Sequence, residues 1–368
     1  SACLNRLTHY RVPFAAIGVL ANAIIQQQNS FLDYSDAEKT LSKIQLNHDE
    51  EEKLIEEEIT PTPLQKETGT KTVTSGSRIL SILLESGILS EHQGDKIRFS
   101  SPVWTGYLAA LQSSASEVFP PLWIYSSIEY EYYHYLAVFH PDKWLEIYLQ
   151  QDQSPFYTNL INGLKWIKDT PSNHPARSLV FKKCIPYLQN EMLPYPLRVR
   201  LLAGCVSSND PTLSLFFKQL ISHTSPALRT MAALGCGALQ DSKLIPNLIS
   251  LLNDENPEPR LAACFALSCF ENPEAEKAVV DCIHFAEESL RLAAAETLAM
   301  DTRKGHARLK ELIESEDLLV RRSAVFGLSM IHEEWVVDLL EKIAVEDGQW
   351  VVRNDAGQAV ENRQKANP

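Results

Sequence analysis

The stretch Leu228-Arg229-Thr230-Met231-Ala232 places an arginine directly after an apolar residue and an alanine three residues after that arginine. The arrangement returns four times along the chain, once with proline as the first residue: Pro259-Arg260, Leu290-Arg291, Val320-Arg321 and Val352-Arg353. The steps between successive arginines are nearly equal, and a fixed period of about 31 residues predicts a solenoid of stacked helical units. Solenoids mostly bind other macromolecules and seldom catalyse reactions themselves.

Each unit is predicted to hold two helices, and the arginine lies at the start of the second one. Counted from the arginine, positions +3 and +7 are small or medium apolar residues, such as Ala232 and Cys236. At 100° per residue these positions share one helix face, which predicts the packed interior of the solenoid. A weaker copy of the motif, Val199-Arg200, lies roughly one period upstream of Arg229.

The repeated arginines have a structural interpretation. In most units an acidic residue precedes the arginine by three to six positions: Glu255, Glu287, Asp317 and Asp347. Stacked turns would bring each arginine beside carboxylates of its own and of adjacent units, and such pairs cap helix ends and fix register. A structural ladder is therefore predicted, and arginines that bind a ligand are the alternative. The predicted ladder consists of Arg229, Arg260, Arg291, Arg321 and Arg353.

The second helices also have a face opposite the predicted interior, at positions +1, +5 and +8, where polar residues are expected. This face instead has an apolar stripe with polar neighbours: Leu234, Leu261, Phe265, Leu292, Glu296, Arg322, Phe326 and Asn354. One hypothesis is a groove on the concave surface that binds a protein, a peptide or an adjacent domain of the same polypeptide. The alternative is that strong curvature closes the stripe against itself.

Composition limits the classes of partner. The net charge is −13, and this acidic balance disfavours nucleic acid and anionic membranes, because both bind cationic surfaces. No segment reaches the roughly 20 apolar residues of a membrane span. Most of the seven cysteines lie in apolar helical sequence and none forms a CxxC pair. They are interpreted as small core residues in a reducing, cytoplasmic compartment, and neither a cofactor nor a metal is predicted.

The first half of the chain is predicted to divide into three parts, ahead of repeats at 191–368. Residues 1–30 form a helical tail of a missing upstream domain, and residues 31–115 form a small domain with an acidic insert and linker at 46–77. Residues 116–190 are aromatic-rich helices, interpreted as degenerate capping repeats because Trp144 and Tyr148 fall at helical spacing.

The small domain has a distinctive order of predicted elements. A helix stops near Gly87, and a hairpin follows, with its turn at 92–95 and its return strand at 96–99. Ser101-Pro102 then begins another helix, since proline suits a first helical turn. Helix, hairpin and helix together look like a winged-helix unit. Its hairpin carries only Lys96 and Arg98 as cations, so packing against protein is favoured over binding to DNA.

Two families resemble parts of this sequence. The repeats look like HEAT repeats of the short bacterial type, with the arginine and the preceding acid in the expected places. The segments 84–89 and 97–110, which end in Tyr107-Leu108-Ala109-Ala110, resemble the winged-helix end of NACHT-type NTPases of the STAND class. Ser100-Ser101-Pro102 departs from that family, which often has a histidine after the phenylalanine. The resemblance implies that Arg11-Val12-Pro13-Phe14 is the tail of a nucleotide-binding region.

The STAND resemblance implies a signalling switch whose repeat array senses a partner or ligand. Walker motifs are absent from this sequence, so the ATPase activity of that family is not carried over, although a longer parent could be an NTPase. The predicted function is therefore a non-catalytic regulatory and interaction region. The alternative is a HEAT-repeat enzyme similar to phycobilin lyases or to DNA glycosylases, and a glycosylase would need a basic concave surface.

Overall fold

The computed structural model describes residues 14–27, 30–44, 75–92, 95–113, 124, 126–150 and 154–366. The chain separates into two compact units, Ser1–Cys184 and Ile185–Pro368. Helices dominate the described residues and all of their strands belong to the first unit, which confirms the predicted all-α class with a solenoid. Most of the predicted insert and linker at 46–77, and residues 1–13 of the predicted tail, lie outside the described residues. The predicted division into four parts stays a prediction.

The first unit begins with a mixed group of short helices and strands. Its elements are α1 (Phe14–Gln26), β1 (Leu32–Asp33), α2 (Tyr34–Ser42), α3 (Ser75–Glu85), β2 (Leu89–His92), β3 (Lys96–Phe99) and α4 (Pro102–Gln112). The strands form an antiparallel sheet in the order β1-β3-β2. The predicted helix, hairpin and helix are therefore present as elements, at the predicted positions.

Strand β3 shows why the hairpin lies where it does. Ile97 and Phe99 are buried while Lys96 and Arg98 are exposed, so one face of the sheet packs inward and the other meets solvent. No strand was predicted between the two helices near residue 30, so β1 was not expected. Two residues are too few to show a period of two, and β1 exists because Leu32 pairs with Ile97.

The rest of the first unit consists of α5 (Ser127–Phe139), α6 (Pro141–Gln150), α7 (Thr158–Trp166) and a 3-10 turn at Ile167–Asp169; α8 (Pro175–Gln189) contains the boundary between the units. The aromatic side chains form its interior. Trp144, Tyr148 and Trp166 are buried, and the rings of Trp144 and Tyr148 stack with centroids 5.8 Å apart. Asn162 Nδ2 donates to the Tyr148 hydroxyl at 3.2 Å, which satisfies the polar end of that ring.

In the second unit, helices alternate between the two positions of the repeat. After α9 (Tyr195–Ser207), the first helices are α10 (Leu213–Ile221), α12 (Ile245–Leu251), α14 (Pro273–Phe285), α16 (Gly305–Leu312) and α18 (Glu334–Glu346). The second helices are α11 (Pro226–Leu239), α13 (Pro257–Ser268), α15 (Glu288–Met300), α17 (Leu318–Met330) and α19 (Trp350–Ala366). Several helices begin at proline directly after a polar residue, which is a sequence signal for a helix start.

The repeat interior is built from the predicted positions. Successive second helices pack beside one another. The alanines at +3 are fully buried in all five repeats, and the residues at +7, such as Cys236 and Leu328, are buried as well. Glycine permits the closest approaches between these helices. A Cβ on Gly237 would lie 2.8 Å from Ala266 Cα, and one on Gly327 would lie 2.8 Å from the Ala295 carbonyl oxygen.

The burial of residues differs from the prediction at two places. Cys269 is exposed, because it follows the last residue of α13 instead of facing the core as the other described cysteines do. In the weaker upstream copy, Arg200 and Ala203 are exposed while Arg198 and Leu201 are buried. Arg198 Nε donates to the Leu188 carbonyl at 3.0 Å, so the inward arginine of this copy lies two residues earlier than the motif suggested.

Candidate binding groove on the second helices

The repeated arginines bind the turn that precedes their own helix. Four of them donate from Nη1 to the carbonyl oxygen six residues earlier, at 2.6 to 2.9 Å: Arg229 to His223, Arg260 to Asp254, Arg321 to Ser315 and Arg353 to Asp347. Arg291 instead donates to the carbonyls of Ile283 and Ala286, both at 2.9 Å. These bonds satisfy carbonyl groups in the last turn of a first helix or in the turn that follows it, which have no partner within the helix.

The carboxylate partners come from the following unit. Arg229 binds Asp254 through two hydrogen bonds of 2.7 Å, and Arg321 binds Asp347 in the same way at 2.9 and 3.2 Å. Arg260 reaches Glu287 at 3.2 Å. Asp254 and Asp347 also offer their carbonyl oxygens to the arginine of their own unit. Each of these aspartates therefore joins two successive units. Its carboxylate binds the arginine of the preceding unit, and its carbonyl oxygen binds the arginine of its own unit.

These contacts shift the acid–base equilibria of the carboxyl groups. The hydrogen bonds from Arg229 lower the pKa of Asp254 and outweigh the effect of burial. Burial would raise the pKa of Asp347, but the hydrogen bonds from Arg321 and from the Gln349 backbone N–H together lower it. Both side chains are 8% exposed, so solvent screens these pairs much less than surface pairs.

The chain of ion pairs is interrupted between Arg291 and Asp317. Asp317 accepts a hydrogen bond from the Leu319 backbone N–H at 2.7 Å, so it caps α17. Among the described residues no ion pair joins it to Arg291. This gap lies at the step from Arg291 to Arg321, the shortest of the four between repeated arginines.

The predicted apolar stripe is partly covered. Of its eight residues only Asn354 is exposed, and the others are half-buried. The stripe is therefore neither closed against itself nor fully open to solvent. Three of these residues, Leu292, Arg322 and Phe326, line a groove of about 750 Å³. That volume is in the range of binding pockets in proteins.

The groove runs along α17 and α19 and reaches the first turns of α15. Its α17 side is largely apolar, with Leu319, Val325 and Phe326, and Leu292 of α15 adds to it. Its α19 side is polar. It presents Asp355, Gln358, Asn362 and Arg363 to the groove. A ligand here would meet an apolar surface on one side and hydrogen-bonding groups on the other.

The charged groups of the groove are mostly engaged with the protein. Arg322 Nε donates to Asp355 at 2.7 Å, which bridges α17 and α19. Arg363 Nη2 donates to the carbonyls of Leu328 at 2.9 Å and Ser329 at 3.2 Å, and also to that of Ile331, at the end of α17. Burial lowers the pKa of Arg363 from its ordinary, very high value. Three arginines and three carboxylates line the groove, so its formal charge is balanced.

The other five stripe residues do not line this groove: Leu234, Leu261, Phe265, Glu296 and Asn354. The first three lie on α11 and α13, in earlier units. None of the four α19 residues was named as a candidate site residue, although Gln358 stood at position +5 of the open face: Asp355, Gln358, Asn362 and Arg363. A sequence signal existed for two of them, since Gln358 and Asn362 are four residues apart and so share a helix face.

No group of three or more His, Cys, Asp and Glu side chains within the described residues is arranged to hold a metal ion. No helix in the described part of the chain combines the length and apolar character needed to cross a membrane.

The repeats match the model of a known family. Residues 213–299 and 286–361 match the model of HEAT repeats. This part of the chain contains HEAT repeats. The matched residues cover α10 to α18 and most of α19, and therefore the arginines, their carboxylate partners and nearly all of the groove. The resemblance of the repeats to HEAT repeats is confirmed over the matched residues, while the STAND class stays a prediction.

Two solved structures match the chain at low similarity. The X-ray structure of YibA from Escherichia coli is 15% identical and has a TM-score of 0.33, with 73% of this chain and 99% of that chain covered. Armadillo repeat proteins computationally designed for modular peptide recognition are 14% identical and have a TM-score of 0.25, with 55% and 97% covered. No curated protein sequence matches the chain.

Proposed function

We propose that this chain is a non-catalytic interaction region that binds a protein or peptide on the open face of its second helices. The observation that supports this most directly is the groove beside α17 and α19, because apolar side chains and hydrogen-bonding groups converge there. HEAT repeats present such surfaces as arrays in which each unit contacts its neighbours. The balanced charge of the groove and the net charge of −13 argue against DNA as the occupant.

We further propose that the chain is the regulatory and sensor part of a STAND-type signalling NTPase. The order helix, strand, helix, helix, strand, strand and helix in α1 to α4 agrees with the winged-helix resemblance of that stretch. The test is the coding sequence upstream of Ser1. An NTPase domain with a P-loop is expected to precede it directly, and an unrelated upstream sequence would refute the STAND assignment.

Partner binding on this face is tested by site-specific crosslinking in the source cell. A photo-crosslinking amino acid in place of Phe265, which lies on the predicted surface, is expected to capture a discrete partner. The same amino acid in place of Lys277, exposed on the first helix α14, is the matched control and should capture none. Equal crosslinking from both positions would contradict a binding surface on the second helices.

The apolar stripe itself is tested by replacing Phe265 and Phe326 with serine. Because both rings are only half-buried, we expect the double variant to keep its helical circular dichroism and its cooperative unfolding. Crosslinking to the partner, read from a position outside both substitutions such as Leu292, should be lost. Unfolding of the variant would instead show that the stripe is part of the core, which is the alternative interpretation.

The enzyme alternative has its own direct test. Incubation of the full chain with bilin or with alkylated duplex DNA should leave both substrates unchanged. Turnover of either substrate would replace the scaffold proposal with a lyase-like or glycosylase-like one.

A further inference from the structure

The groove between α17 and α19 has a shape and chemistry that indicate what kind of chain segment binds there. We infer that it holds an extended peptide segment of another protein, with apolar side chains at alternate positions and its backbone bound by Gln358 and Asn362. This inference rests on the proposed binding function and specifies the partner.

The spacing of the two carboxamides matches that of an extended chain. Gln358 and Asn362 are one helical turn apart on α19, are exposed, and both line the groove. Neither makes a hydrogen bond through its side chain among the described residues. Residues four apart on a helix are about 6 Å apart along its axis. Alternate residues of an extended chain repeat at a closely similar distance, about 6.6 Å.

The chemistry of the carboxamide group suits main-chain recognition. Each one carries an N–H donor and a carbonyl acceptor, so it can bind the C=O and the N–H of a peptide backbone. Main-chain groups are available for such bonds only in an extended segment, since a helix uses its own N–H and C=O groups internally. Two neutral carboxamides in sequence therefore favour a strand-like ligand over a helical one.

The α17 side of the groove is apolar. Leu319 and Phe326 lie on α17 about two turns apart, and both face the groove. The side chains of an extended segment point at right angles to its main-chain hydrogen bonds, so a segment bound along α19 turns every second side chain into the groove, where these residues supply apolar contacts. The groove follows α17 from Leu319 to Ser329, which is about 15 Å along the axis and corresponds to about five extended residues.

The charges of the groove identify the source of the segment. Its three arginines and three carboxylates balance, so a segment with little net charge fits best. The acidic run Asp49-Glu50-Glu51-Glu52 of this chain does not meet that requirement. A second copy of the chain is disfavoured by its net charge of −13. We therefore assign the occupant to a different protein.

The experiment uses the full chain and a phage-displayed library of random peptides. Selected peptides should share apolar residues at positions i and i+2, carry little net charge and lack helix-forming patterns. A labelled consensus peptide should bind the chain in fluorescence anisotropy. Its affinity should fall about tenfold in Gln358→Ala/Asn362→Ala and at least tenfold in Phe326→Ser. Gln364→Ala, which removes an exposed carboxamide on the same helix but outside the groove, is the matched control and should leave affinity unchanged.

N-methylation of the peptide backbone separates main-chain recognition from a purely structural role of the carboxamides. Methylation at one of two alternating positions should weaken binding to the native chain and have little further effect on the double carboxamide variant. Unchanged affinity of that variant, helical consensus peptides or no enrichment at all would overturn the inference. Enriched sequences that match this chain itself would overturn the assignment to another protein. If a partner still crosslinks at Phe265 in any of these cases, the proposed function stands without the inference.

Discussion

At the scale of single residues, Asp254 shows how one side chain holds two units together. Its carboxylate receives two hydrogen bonds from Arg229, and its carbonyl oxygen receives one from Arg260. Acid residues near the arginines were foreseen from the sequence. Carboxylates of the same and of adjacent units were expected beside each arginine, but not which unit would supply them: Arg229, Arg260 and Arg321 all bind a carboxylate of the next unit, 25 to 27 residues further along the chain. The number of residues between an arginine and the acid before it does not show which carboxylate that arginine binds.

Replacing Asp254 with asparagine should lower the free energy of unfolding at pH 7 by about 1–3 kcal/mol, because Arg229 loses its charged partner in a mostly buried position. Denaturant unfolding of the variant and the native chain measures this difference. Asp338→Asn removes the same charge from an exposed position on α18, and it should change stability little. Equal losses in both variants would show that net charge, not the pair, is responsible.

The same pair predicts a dependence on pH. The folded-state pKa of Asp254 is lowered, so its stabilising effect is complete above the unfolded pKa of about 4 and is lost as pH falls through the folded pKa. The stability gap between the native chain and Asp254→Asn should therefore be constant near neutral pH and close in acid. A gap that widened on acidification would contradict this assignment.

At the scale of elements, close contact between second helices depends on which glycines face a neighbour. A Cβ on Gly237 of α11 would meet the backbone of α13, whereas the atom nearest to a Cβ on Gly357 of α19 is Ala344 Cβ, at 4.0 Å. Both glycines lie in second helices, Gly237 at position +8 and Gly357 at position +4 from the arginine of their unit. Position +8 was predicted to lie opposite the interior, but Gly237 is buried, because α13 packs against it.

The same substitution should therefore have opposite effects at these two positions. Gly237→Ala should destabilise the chain by about 1–3 kcal/mol, because the new methyl group overlaps the backbone of α13. Gly357→Ala should stabilise it by about 0.5–1 kcal/mol, because alanine has the higher helix propensity and its methyl group would lie 4.0 Å from Ala344 Cβ, an ordinary van der Waals contact. Thermal and denaturant unfolding measure both, and a stabilising Gly237→Ala would refute the close approach.

At the scale of the second unit, stability should behave as a sum over neighbouring repeats. Successive second helices pack beside one another, and the ion pairs of the arginines also join adjacent units. Such arrays are nearly one-dimensional, so loss of one end affects mainly the unit next to it. In a compact globular core, by contrast, the loss of one end would lower the stability of the whole core.

Ending the chain at Ile331 removes α18 and α19 and exposes the inward side of α17. Hydrogen exchange should then show lost protection in α17, while α11 and α13 keep theirs, since they lie in earlier units, further from the cut. Substituting Val336, which is fully buried in α18, with serine is a milder form of the same test. Loss of protection in α11 would show that the repeats unfold as one block.

The sequence by itself determined the repeat, its two helices and the inward positions +3 and +7, because these depend on the periodicity of a single helix and on local turn residues. The buried alanines and the HEAT match agree with it. Tertiary structure decided which carboxylate binds which arginine, that β1 pairs with β3, and that Leu292, Arg322 and Phe326 share one groove with Gln358 and Asn362. Each of these depends on the distance between segments far apart in the chain, and only the packing of one helix or strand on the next sets that distance.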